Sequence, residues 1–69
     1  MVEITEQRER IRKSIAHLRR KGLISEYESE RVIKQIEVSD IALREVQMMK
    51  DTFESDERVL GEHVRRFVK

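Results

Sequence analysis

Leu18-Arg19-Arg20-Lys21-Gly22-Leu23-Ile24-Ser25-Glu26-Tyr27-Glu28 ends one helix and begins another, and this punctuation decides the fold. Gly22 is placed to take the left-handed conformation just past a helix C-terminus, and Arg19, Arg20 and Lys21 put positive charge in the last turn, where the macrodipole favours it. Ser25 followed three residues later by Glu28 is a capping-box signature, and Glu26, Glu28 and Glu30 place negative charge in the next first turn. A connector this short makes the two helices antiparallel neighbours, so a helix over about 4–21 folds back, through a turn at 22–25, on a helix starting at about 26.

Outward from the turn, the first helix carries Ile4, Ile11, Ile15 and Leu18 on one narrow stripe, with Arg8 where a further apolar residue would stand. Beyond the turn, a heptad-like seam runs through Val32, Ile36, Ser39, Leu43, Val46, Lys50 and Phe53, then stays in phase through Glu57, Leu60, Val64 and Phe67. That phase permits one helix from about 26 to the C-terminus, roughly 65 Å long at 1.5 Å per residue. The alternative is a helix over about 26–53 and a third helix over about 55–68. In that case Asp51-Thr52-Phe53-Glu54 serves as a second capping box and Glu54-Ser55-Asp56-Glu57 as a polar interruption. A monomer needs the break to cover Leu60, Val64 and Phe67; an unbroken helix needs a second chain. Val38, Ile41, Ala42, Met48 and Met49 add an apolar strip beside the seam, which a two-helix hairpin cannot bury together with the seam itself.

The stretch Ile15 to Ile36, containing Leu18-Arg19-Arg20-Lys21-Gly22-Leu23-Ile24-Ser25-Glu26, resembles the helix, glycine, apolar pair, Ser/Thr and acidic helix start of SHOCT domains, small helical modules associated with oligomerisation. The likeness covers about a third of the chain. Ser29 stands where that pattern usually has an aromatic residue, so the resemblance describes the turn and not a family assignment.

With 69 residues, the chain supports one small domain, and neither disulfides nor thiolate metal sites can staple it because it has no cysteine. Glu, Arg, Lys, Leu, Ile and Met are mostly good helix formers, proline is absent, and no period-2 stretch of any length occurs, so the fold class is all-α. No apolar run approaches the roughly 20 residues of a membrane span, and Glu3, Glu6 and Glu9 interrupt any signal-like segment after Met1, so a cytoplasmic protein without membrane attachment is expected. The serines Ser14, Ser25, Ser29, Ser39 and Ser55 have no nucleophile-elbow or glycine-rich setting, and there is no P-loop or dinucleotide fingerprint. His17 and His63 lack acidic or histidine neighbours at helical offsets, which argues against a metal half-site. The expectation is a non-enzymatic chain with no cofactor and no metal.

Charge placement says more than the net value of +1. Between Arg8 and Lys21 there are seven cationic residues and one anionic, whereas Gly22 to Gln47 holds three cationic and six anionic. Arg10, Arg12, Lys13, Arg19, Arg20 and Lys21 are therefore candidates for a phosphate-contacting surface. The competing use of the same charges is docking of the first helix on Glu30, Glu37 and Asp40 of the second. Tyr27, Phe53 and Phe67 lie away from the basic stretch, which leaves it without a base-stacking platform.

The sequence thus predicts an all-α single domain over 1–69, an antiparallel helical hairpin with a long second helix or a third C-terminal helix, assembled into a dimeric bundle. The expected function is that of a protein–protein interaction or regulatory module, self-associating as a homodimer or higher homo-oligomer and binding a larger protein partner. Leu43, Val46, Met49, Phe53, Leu60, Val64 and Phe67 are the expected interface. The alternative is a small nucleic-acid-binding protein that uses its basic first helix.

Overall fold

The structure, a computed structural model, describes residues 4–68. Four helices follow one another: α1 (Ile4–Arg20), α2 (Glu26–Val38), α3 (Asp40–Phe53) and α4 (Glu57–Phe67). Among the described residues there is no strand.

The opening turn is built as its residues dictate. Gly22 has φ 75°, and the amides of Gly22 and Leu23 donate to the carbonyls of Arg19 and Leu18 at 3.0 Å each, a Schellman closure of α1. The amide of Ser25 donates to Glu28 Oε1 at 2.8 Å while that of Glu28 donates to Ser25 Oγ at 3.1 Å, which is the reciprocal capping box at the start of α2.

The expected helix over about 26–53 is two helices. Ser39 takes an extended backbone (φ −141°, ψ 120°), ends α2 by donating its amide to Gln35 O, and caps α3 by accepting from the amide of Ala42 at 3.2 Å. One serine closes one helix and opens the next because its short hydroxyl competes well for the first free amides of a helix. Arg8 fastens this break from α1: its Nε donates to Ile36 O at 2.7 Å and its Nη2 to Asp40 Oδ1 at 2.8 Å. The polar residue in the α1 stripe thereby satisfies a terminal carbonyl of α2 and holds the first residue of α3.

The second break is the one the three-helix alternative requires, with a different cap. Asp51 and Thr52 remain inside α3, and Asp56 is the cap of α4, accepting from the amide of Val59 at 3.3 Å. With both breaks made, the described chain measures 32 × 24 × 18 Å, half the length that an unbroken second helix would require. Its radius of gyration of 10.8 Å matches the ~11 Å expected of a compact 69-residue domain.

All four helices and the turn contribute to one core. Ile11, Ile15 and Leu18 of α1 meet Ile24, Val32 and Ile36, Leu43 and Val46 of α3, and Leu60 and Val64 of α4. Gly61 permits α4 to approach the first turn closely, since a Cβ there would lie 3.1 Å from both the Cβ and the carbonyl oxygen of Leu23.

Candidate interaction surface

The seven residues expected to form an interface divide in two. Leu43, Val46, Leu60 and Val64 are buried within the chain itself, at 6% exposure or less, and so have their apolar contacts already. Met49, Phe53 and Phe67 are half-buried and pack at the rim of the core, with Phe53 stacked on His63 at 4.4 Å between ring centroids. No second chain is needed to cover α4.

Three of the five residues in the apolar strip beside the seam have the opposite fate, while Ala42 and Met49 are half-buried. Val38 is 78% exposed, Ile41 71% and Met48 63%. Ile41 and Met48 are seven residues apart on α3 and share the helix face turned away from Leu43 and Val46. On one side of this ridge is a hollow of about 340 Å³ lined by Glu45, Met48, Met49, Thr52, Phe53 and Phe67. On the other is a second, of about 280 Å³, lined by Ile4, Gln7, Asp40, Arg44, Gln47 and Met48. Isolated exposed apolar residues are ordinary on protein surfaces; two on one helix face, with Arg44 and Glu45 between them and a hollow lined by Met48, Met49, Phe53 and Phe67 beside them, form a candidate contact surface.

The basic residues of α1 also divide. Arg12 pairs with Glu37 at 3.0 Å and Lys21 with Glu57 at 2.8 Å, while Arg8 holds Asp40. Two of the three carboxylates expected to dock α1 on the following helices, Glu37 and Asp40, therefore do so, and Glu30 makes no ion pair among the described residues. Arg10, Lys13, Arg19 and Arg20 are exposed or line surface clefts and likewise make none there. Arg19 borders a cleft with Glu26 and Glu30, whereas Lys13 and Arg20 border a cleft of about 480 Å³ with His17, Lys50 and Glu57. The candidate phosphate surface is thus split between two sides of α1.

Within the larger cleft, His17 Nε2 lies 2.7 Å from Glu57 Oε1 and Lys21 Nζ 2.8 Å from Glu57 Oε2, so both carboxylate oxygens are used to tie the start of α4 to the end of α1. The Lys21 hydrogen bond, and after it the one from His17, holds the Glu57 carboxyl below its usual pKa. Ser14 lines the same cleft one turn before His17, but no hydrogen bond joins it to the imidazole. A serine, a histidine and a glutamate are therefore neighbours here as an interhelical latch and not as an aligned nucleophile and base. Glu28 is held low as well, first by the Ser25 amide and also by Arg65 of α4 at 3.5 Å. Among the described residues no group of three or more His, Asp or Glu is arranged to hold a metal, and no helix is long and apolar enough to cross a membrane.

Compared with protein-family models, with curated proteins and with solved structures, the chain matches none, and the likeness of its first turn to SHOCT domains stands as a likeness of a capped helical turn.

Proposed function

We propose that this protein is a small, non-enzymatic interaction module that works by laying the outward face of α3 against another helical surface. The observation that carries this reading is the exposure of Ile41 and Met48 on one face of α3, with Val38 exposed at the end of α2, in a chain whose Ile11, Ile15, Leu18, Val32, Ile36, Leu43, Val46 and Val64 are buried. Leaving three large apolar side chains in water forgoes on the order of 1.5–3 kcal/mol for each one that could be fully buried. Met48 and Met49 give the face an adaptable, polarizable surface that can fit an incoming side chain. Relative to the expectation from sequence, association moves from the Leu43–Val64 seam, which the chain uses internally, to the strip beside it.

The reading is tested with Ile41→Glu combined with Met48→Glu, set beside the unmodified chain in native mass spectrometry and thermal melts. The unmodified chain should run above the 8.3 kDa of one copy, alone or with a partner chain, and the variant should run as a monomer that still melts cooperatively, at the temperature the unmodified chain approaches on dilution. A variant that keeps the heavier species, or that loses its fold, contradicts the reading.

A second reading, a phosphate-binding role for α1, is supported by the cations Arg10, Lys13, Arg19 and Arg20, for which the described residues supply no carboxylate partner. Its test is binding of duplex and single-stranded probes at two salt concentrations, with Lys13→Glu and Arg20→Glu abolishing a salt-sensitive signal. No binding at low salt eliminates it.

A further inference from the structure

Resting on the reading of α3 as a docking surface, we propose that its occupant is a second copy of this chain, laid antiparallel about a two-fold axis near Met48, with Arg44 of each copy paired to Asp51 of the other.

Shape is the first argument. The α3 face carries both a ridge, formed by Ile41 and Met48, and the hollows on its flanks. A surface that holds knob and hole side by side is complementary to itself. A two-fold axis through it seats the ridge of each copy against the hollow of the other, as ridges enter grooves between packed helices. Ile41 then meets Thr52 of the second copy, and the two Met48 side chains meet near the axis.

Charge is the second argument and, together with the helix dipoles, it favours one direction. Arg44 and Asp51 lie on the same flank of the ridge, seven residues or about 10.5 Å apart along the helix. In an antiparallel pair each flank faces the same flank of the mate, so Arg44 comes opposite Asp51 twice over. Arg44 makes no ion pair among the described residues. Asp51 accepts one hydrogen bond, from Gln47 Nε2 to Oδ1 at 2.9 Å, which leaves its other oxygen for a guanidinium. The opposite flank, with Glu45, Met49 and Thr52, brings no like charges face to face in this register. Antiparallel packing also sets opposite ends of the two helix dipoles together, whereas a parallel pair aligns like ends and, although it sets Arg44 against Glu45, leaves Asp51 facing the uncharged Thr52. α3 has 14 residues, about 21 Å, so a contact confined to its outward face is small, and the dimer should dissociate in the micromolar range.

Arg44→Asp and Asp51→Arg, prepared separately, decide the matter by sedimentation equilibrium. Each variant alone opposes like charges twice and should associate about a hundredfold more weakly than the unmodified chain. Mixed in equal amounts they restore both pairs, and should form a heterodimer within about tenfold of the original affinity. The doubly exchanged chain should again pair with itself. Asp51→Arg that still dimerises as the unmodified chain does, or a mixture that stays monomeric, overturns the antiparallel register. A heavier native species made of a different chain overturns the second copy as occupant. In either case the docking role of α3 stands if Ile41→Glu with Met48→Glu abolishes the association, and falls with the inference if that variant changes nothing.

Discussion

Replacing Gly61 by alanine sets two effects of known sign against each other, and the structure decides which prevails. Within an exposed helix the change stabilises by about 0.8–1 kcal/mol, because glycine loses more backbone entropy on folding than alanine does. In α4 the added Cβ would stand 3.1 Å from the Leu23 carbonyl oxygen and 3.1 Å from its Cβ. Neither neighbour is the far end of a flexible side chain. The Leu23 amide is tied to Leu18 O at 3.0 Å, and the next residue, Ile24, is buried, so the turn has little freedom to retreat. Overpacking against such a wall costs about 1–3 kcal/mol, leaving a net loss of about 1 kcal/mol and a fall in melting temperature of about 5 °C for a domain of this size. Far-ultraviolet circular dichroism melts of the two proteins measure it. A Gly61→Ala chain that melts higher than the unmodified one would mean that Gly61 faces solvent, and the packing of α4 against the first turn would be wrong.

Three further perturbations follow from the same contacts. Arg8→Ala removes the bond to Ile36 O and the pairing with Asp40 at the α2–α3 break, and should cost about 2 kcal/mol in a denaturant melt; Arg8→Lys, lacking the fork, should recover little of it. Glu57 has its folded pKa lowered from 4.5 by Lys21 and His17, so its contribution is fully present above that value and is lost as pH falls through the lower folded value. Melts at stepped pH should therefore show Glu57→Gln less stable near neutrality and flatter on the acid side than the unmodified chain. Leu60→Asp with Val64→Asp places two carboxylates in the shared core and should unfold the chain, read as loss of helical dichroism, rather than release a folded monomer.

The first hairpin was legible because each of its signals is local. Gly22, Ser25 and Glu28 satisfy backbone groups within a few residues of themselves, and the structure realises each one. The breaks were harder to read because the seam keeps one phase through them: Leu43, Val46, Leu60 and Val64 are apolar positions of a continuous heptad pattern whether or not the helix turns between them. Two of the seam's polar interruptions, Ser39 and Glu57, stand at helix starts, while the third, Lys50, stays inside α3. Ser39 and Asp56 are short oxygen-bearing side chains just before a helix, which is the available signal; what confirms the first break is Arg8, 31 residues earlier, and no local pattern links the two. The proposed interface differs from the expected one for a related reason. Periodicity shows that α3 is apolar on two sides, with Leu43 and Val46 on one and Ile41 and Met48 on the other, but only the folding back of α4 determines which side the chain covers itself.

Methyl NMR of the unmodified chain over a concentration series addresses the central claim most directly. The claim is that Leu60 and Val64 complete the fold within one chain while Ile41 and Met48 remain for association. It predicts that the methyl signals of Ile41 and Met48 move progressively as the concentration rises through the micromolar range, with those of Leu60 and Val64 unmoved. Shifts centred on Leu60 and Val64, with Ile41 and Met48 unchanged, would contradict it.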